Sequence, residues 1–479
     1  MKYSRLALLA VVGGICATAA PSPPSYNKDI APILNEQCAL CHRPGEVAPF
    51  SLLTYQDASK RAGLIAAVTA KRFMPPWLPE PGYGQFQHER RLTDAQIALI
   101  AAWAKAGAPE GDAKDKPAPP KFTEGWSAGE PNRVVTMGSG HTVPADGPDQ
   151  FLCFVVPLNL EEDAYLQTAE LRPGNRRVVH HGVIYVDENG AARKLAGAEG
   201  SYQCFGGPRV TSSGIIAGWA PGQVQVAGDP DLTLPIKKGS DLVVQIHYHP
   251  SGKPETDTSS IGLTFGGPPT RGKTSILMVD SSIDIPPGNA NYLVKTSVTL
   301  ARDVELASVF PHAHLLCRDM KLDAKLPGGE VQHLIWIKNW DFNWQGGYKL
   351  EEPLELPKGT RIDLAYTFDN SAANPRNPSN PPKEVSFGEQ TTDEMAVAFL
   401  GVILPAPADV APFQRDMRLM ALDNLIASTG DVSRLRGRVP GMNAARLQQL
   451  MTTFDKNADG KLDAEERGAL IDYLRGVMK

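Results

Sequence analysis

The 479-residue chain has room for about three domains. Its 48 basic and 53 acidic residues leave a net charge of only −5 with no long basic run, which argues against nucleic acid and anionic membrane as partners. The 41 prolines, above the usual ~5%, and 44 glycines predict many turns and a loop-rich, mostly β protein.

The chain opens "MKYSRLALLAVVGGICATAA", in which Lys2 and Arg5 precede an apolar stretch and Ala17-Thr18-Ala19 offers a small-residue cleavage site. The apolar part is shorter than the ~20 residues of a membrane span, so residues 1–20 read as a cleaved signal peptide that carries Cys16 away. No later segment is long and apolar enough to cross a bilayer. The expectation is an exported protein, periplasmic or secreted, in which disulfides persist.

Residues 25–112 follow as a helical region. "DIAPILNEQC" and "LTDAQIALIAAWAKAGAPEGD" place apolar residues at helical spacing, and the second starts on a Thr/Asp cap signal and ends near glycine. Between them "CALCH" sets Cys38 and Cys41 in C-x-x-C-H spacing with His42. The two thiols suit addition to haem vinyl groups, and the imidazole suits the iron. A redox dithiol or half of a zinc site are the rival readings; no βαβ pattern surrounds the motif and no second C-x-x-C follows it. The stretch resembles small cytochrome c domains, which implies covalent haem c. Met74, in "RFMPPW", is the expected sixth ligand, with His88 as the rival; a thioether would make the haem an electron carrier.

"DAKDKPAPPKFTEG" (112–125) marks a linker, placed over residues 113–129. From 130 to 404 short β-type runs alternate with Gly/Pro/Asn turns, as expected for two β-sandwiches, 130–268 and 269–404, divided near "GGPPTRGK". Six of the ten histidines form three pairs: His180-His181, His247-x-His249 and His312-x-His314. Residues i and i+2 of a strand share a face, so an H-x-H pair can grip one ion, whereas adjacent histidines need a bulge or strand end. His141 and His333 have no such partner and read as ordinary.

These runs carry a specific resemblance. "VVHHGVIYV", "VVQIHYHPSG", "HAHLL" and "TTDEMAVAF" resemble, in order, motifs of the type-2 copper, ascorbate-dependent monooxygenases, the family of peptidylglycine α-hydroxylating monooxygenase and dopamine β-hydroxylase. The match spans roughly residues 130–402. It implies two jelly-roll domains with one copper each: His180, His181 and His247 for an electron-transfer copper, and His312, His314 and Met395 for the copper at which dioxygen is activated. Met320 shares strand parity with His314 but lies ~20 Å along a strand. His249 has no family counterpart and is left as a neighbour of the ligands. "FLCF" resembles the family's first-domain cysteine, which pairs Cys153 with Cys204 and leaves Cys317 free. The chain also departs from the peptide-amidating members: Phe310, Val397 and Phe399 stand where they carry arginine, asparagine and tyrosine. That implies an apolar pocket unsuited to peptidyl-glycine.

"LPAPADVAPF" leads into a helical tail, 413–479. There "DKNADGKLDAEE" matches an EF-hand loop, with Asp455, Asn457, Asp459, Lys461 (through its carbonyl), Asp463 (through water) and Glu466 as calcium ligands and Gly460 at the turn. The expected whole is multidomain: an all-α cytochrome c-like domain, two all-β jelly rolls and a helical EF-hand segment. Its cofactors would be two copper ions, covalent haem and calcium. The expected function is an exported copper monooxygenase acting on a small molecule with an apolar part, its electrons coming from ascorbate or a redox protein, with the fused haem as a candidate relay. The alternatives are a non-catalytic copper/haem electron-transfer or metal-binding protein and a zinc-dependent hydrolase, which would leave Met395 idle.

Overall fold

The computed structural model describes residues 23–477 apart from 45, 47, 123–124, 139, 213–214, 221–224, 389, 430–431, 436–438 and 440–441. The signal-peptide reading over residues 1–20 therefore falls outside the described residues. The protein is mostly β-sheet with a smaller helical part, and it divides into two compact units.

The first unit comprises the chain up to Pro76 together with Arg90–Lys121. Its main helices are Ala31–Gln37, Ala62–Ala70 and Asp94–Lys105. The last of these starts where Thr93 accepts the Gln96 N–H and Gln96 answers with its side chain, a capping box that satisfies two orphan donors. Leu34, Ile100 and Trp103 are fully enclosed in this unit's core. Each such side chain contributes about 1.5–3 kcal/mol by leaving water.

The second unit holds the rest of the chain, including Trp77–Glu89. That segment, expected within the helical haem region, instead lies along the strand Tyr348–Leu356. The Gln87 N–H donates to Lys349 O at 2.9 Å, the Glu351 N–H donates to Gln85 O at 2.8 Å, and Trp77 and Phe86 pack on Tyr348. It thereby covers a sheet edge that would otherwise present unpaired backbone groups.

Two pairs of antiparallel sheets form the body of this unit. In the first, the order Ser201–Gln203, Gln150–Pro157, Asp241–Tyr248, Val179–Asp187, Ile215–Trp219 faces the order Arg133–Thr136, Ser260–Gly266, Ala164–Arg172, Leu234–Ile236 across a shared apolar core. This layer begins earlier than residue 130, because Trp126 already lies against Gly262, where a Cβ would meet its ring at 2.7 Å. The disulfide Cys153–Cys204 ties the strand Gln150–Pro157 to the segment after Ser201–Gln203, with Cα atoms 5.6 Å apart. In the second pair, the order Gly272–Asp280, Ala396–Leu404, Val304–His312, Tyr348–Leu356 faces Tyr292–Thr299, Arg361–Phe368, Cys317–Lys325, Val331–Ile337. The helix Val410–Thr429 buries Phe413 in that core, and farther along it Leu419, Leu422 and Ile426 join Leu450, Leu470 and Leu474 of the tail in a second core.

Candidate metal centre

His181 and His247 are direct cross-strand partners. The register slips between Val179 and His181, so His180 is the extra residue of a bulge, and both adjacent histidines turn toward His247. The Nδ1 atoms of His180 and His181 stand 3.2 Å apart, and those of His181 and His247 stand 3.4 Å apart. All three residues offer a nitrogen within 4.8 Å of the others. The His247 Nε2–H donates to Asp149 at 2.7 Å, which makes Nδ1 its lone-pair nitrogen. Burial, then the neighbouring His247, lowers His180 to about 4; burial and the other imidazoles push His181 well below its ordinary value. Three neutral imidazoles whose Nδ1 atoms converge form a nitrogen donor set suited to copper or zinc.

Asp149 also accepts from Nδ1–H of the exposed His249 at 2.7 Å, so one carboxylate grips both members of the H-x-H pair. Burial works to raise Asp149, but the hydrogen bonds from His247 and His249 outweigh it and hold its carboxyl below the usual range. His249 thus braces the cluster from outside.

The second histidine pair ends the strand Val304–His312. The His312 and His314 ring centroids are 5.2 Å apart. The His312 Nδ1–H donates to Gln345 Oε1 at 2.6 Å, and the His314 Nδ1–H donates to the Asp393 carbonyl at 3.1 Å. In both rings Nε2 is left as the lone-pair nitrogen. Burial, then His314, lowers His312 to about 4 and keeps it neutral.

Met395 is brought to this pair by register. His312, the last residue of its strand, lies opposite Val397 on the neighbouring strand, and Met395 stands two residues before Val397, just outside the strand Ala396–Leu404. Glu394 fixes the junction: its Oε2 accepts the His314 N–H at 2.9 Å and the Met395 N–H at 3.2 Å, and its Oε1 accepts the Leu316 N–H. Met320 is fully buried in the core, and Cys317 is a buried thiol. Phe342 packs against one imidazole of each cluster, its ring centroid 5.9 Å from that of His180 and 5.7 Å from that of His314.

In the first unit, Cys38 and Cys41 are thiols in the turn after the helix Ala31–Gln37, and the His42 N–H returns to Cys38 O at 2.9 Å. The His42 Nδ1–H donates to Phe50 O at 3.1 Å, leaving Nε2 for a ligand. Met74 follows the helix Ala62–Ala70 and is half-buried; the rival His88 is exposed and belongs to the other unit. In the tail, Asp455 accepts the N–H groups of Asp459 and Gly460, Asp463 accepts that of Glu466, and Glu466 accepts those of Lys456 and Asp463. These bonds curl the acidic loop between the helices Ala444–Phe454 and Ala464–Val477. His141 bonds Gln150 and His333 bonds Asp323.

Sequence reasoning missed Asp149, Gln345, Phe342 and the role of Glu394. Only Glu394 left a signal, as the middle residue of D-E-M. No family model and no curated protein matches the chain. Among solved structures, the PBSX exported protein XepA is 8% identical, covering 52% of this chain and 89% of its own at a TM-score of 0.17. A peptide-N(4)-(N-acetyl-β-D-glucosaminyl) asparagine amidase is 10% identical, covering 57% and 97%, at 0.24. The major capsid protein P2 of bacteriophage PM2 is 8% identical, covering 50% and 99%, at 0.17. Likenesses this weak carry no argument about function.

Proposed function

We propose that the chain is an exported copper-dependent monooxygenase of the peptidylglycine α-hydroxylating type, hydroxylating a C–H bond of a small molecule with an apolar part. The observation that carries the reading is the division of donor sets. One cluster offers three converging nitrogens, and the other offers two Nε2 atoms, to which Met395, two residues from the cross-strand partner of His312, would add a soft sulfur that suits copper in both oxidation states. Copper, when bound, supplies the one-electron chemistry that dioxygen activation needs.

The chain's own residues do the rest. His180, His181 and His247 would hold the electron-transfer copper, with Asp149 orienting His247. His312, His314 and Met395 would hold the other, with Gln345, Asp393 and Glu394 fixing their orientation. The face that carries His312 continues as an apolar surface: Phe310 pairs with Phe399, which pairs in turn with Leu277, and His312 pairs with Val397, which pairs in turn with Val279. Leu277 and Val279 are exposed, and no charged side chain stands in these two rows. An uncharged substrate suits that surface; a free carboxylate would find no partner there.

Cys38, Cys41, His42 and Met74 would hold a covalent haem, which would supply an electron carrier for the same chain. Calcium at Asp455, Asn457, Asp459, Lys461, Asp463 and Glu466 has a structural role. Oxygen uptake by copper-loaded protein against a panel of uncharged aliphatic and aromatic C–H substrates tests the reading. The expected result is uptake coupled to hydroxylated product. Redox-active copper with no substrate-dependent uptake would favour the electron-transfer alternative, and a protein that takes zinc but gives no copper EPR signal would favour the hydrolase.

A further inference from the structure

One loop touches both histidine clusters at three points. It joins the strands Val331–Ile337 and Tyr348–Leu356. Trp340 roots it: the side chain is almost fully enclosed, its indole N–H donates to the His314 carbonyl at 3.1 Å, and the Arg376 guanidinium binds its own carbonyl. Asp341 then closes a tight turn by accepting the N–H groups of Asn343 and Trp344. Phe342 sits on that turn, its ring 23° from the plane of His180 and 84° from that of His314. Three residues on, Gln345 holds His312 Nδ1.

We infer that this loop is the spacer of the two metal sites: Phe342 sets their separation, and Gln345 commits His312 to ligation through Nε2. The inference rests on the copper reading above. With both imidazoles within 6 Å of the Phe342 centroid, their own separation is at most about 12 Å. A phenyl ring offers no lone pair, so it keeps the two donor sets from collapsing onto one shared ion. It sets its apolar ring against an imidazole of each set from a rooted loop, and a rooted spacer holds one distance where an open cleft would hold many. Phe342 and Gln345 are positioning residues.

The test is the electron spin resonance of the full chain loaded with two equivalents of Cu(II). Dipolar broadening between the two ions falls with the inverse cube of their distance, so it reads the spacing without reference to turnover. The expected result is broadening in the wild type that is lost or smeared in Phe342→Ala, with two coppers still bound, and retained in Phe342→Leu, which preserves most of the apolar volume. Gln345→Ala should weaken one copper 10–100-fold and leave the other unchanged, the usual effect of removing a group that orients a ligating histidine. Two bound coppers with identical broadening in wild type and Phe342→Ala would overturn the spacer. A wild type that takes up fewer than two coppers would overturn the copper reading and the spacer together.

Discussion

Replacing Glu394 probes how the second cluster is held. Its buried carboxylate accepts the backbone N–H groups of His314, Leu316 and Met395, so Glu394→Ala strips three donors of their partner at once. At about 1–3 kcal/mol for each donor left unsatisfied, the loss is about 3–9 kcal/mol. That is a large part of the ~5–15 kcal/mol that holds a domain together. Glu394→Gln keeps the size and one acceptor oxygen but turns an amide NH2 against the remaining N–H groups, and should fall between wild type and alanine. In the metal-free protein the charge itself can be read. Burial raises Glu394 from 4.5 to about 8, outweighing the backbone N–H groups that favour its ionised form. Between those values the folded state binds the extra proton. The stabilisation is therefore complete below pH 4.5 and lost as pH rises through 8, a span of at most about 5 kcal/mol. Cys317 is a buried thiol next to Leu316, and it reports opening of this segment in a Cys38→Ser, Cys41→Ser chain lacking residues 1–20. Its labelling by a thiol reagent, corrected for thiolate fraction with a reference peptide, should show wild-type protection falling between pH 5 and 8 relative to Glu394→Gln. Parallel profiles, or wild-type protection that grows with pH, would mean that the backbone donors keep the carboxylate ionised throughout and would refute the reasoning.

Cys38→Ser with Cys41→Ser should abolish haem that survives denaturing electrophoresis while the β-sheet circular dichroism persists; retained haem would sink the C-x-x-C-H assignment. Asp455→Ala with Glu466→Ala should remove one calcium by equilibrium dialysis and loosen the tail alone, since the first and last loop positions supply much of the charge that holds the ion. Asp149→Ala should weaken copper at the His180/His181/His247 cluster 10–100-fold by releasing His247, leaving the other copper in place in a competition titration. Met395→His should keep two coppers bound but delete the copper–sulfur path in X-ray absorption of the reduced protein; a surviving path would move the thioether role elsewhere.

The parts of the structure that were legible in the sequence are those written in local periodicity. The helix Asp94–Lys105 follows from its apolar spacing and Thr93 cap, and the strands from alternation between turn residues. The need for a bulge or strand end at His180-His181 follows from strand parity alone, and the register slip is there. What was not legible depends on long-range contact. Asp149 meets His247 across 98 residues, and Gln345 meets His312 across 33. Neither carries a motif, because a single acceptor oxygen is all the position requires. Trp77–Glu89 misled for a related reason: its prolines and aromatics fit a haem-domain loop as well as an added edge on Tyr348–Leu356, and only backbone pairing across more than 260 residues decides between them.

The two clusters differ in which imidazole nitrogen they expose, and the backbone dictates the choice. At the first, His181 and His247 stand directly opposite on neighbouring strands, where short cross-strand spacing brings the near nitrogens, Nδ1, face to face; a carboxylate takes the far Nε2 of His247. At the second, the chain is leaving the sheet. Carbonyl oxygens from Gln345 and Asp393 reach the near nitrogens first, so the far Nε2 atoms are the ones left over. A site built from near nitrogens is tight and held by the sheet on both sides. One built from far nitrogens stands farther from the backbone, on the face that His312 shares with the apolar rows of Phe310 and Phe399. The first suits an ion that only passes electrons, because its ligands resist rearrangement. On the copper reading proposed above, the second would be the site where an apolar substrate meets its ion, because the rows of Phe310 and Phe399 continue from the His312 face.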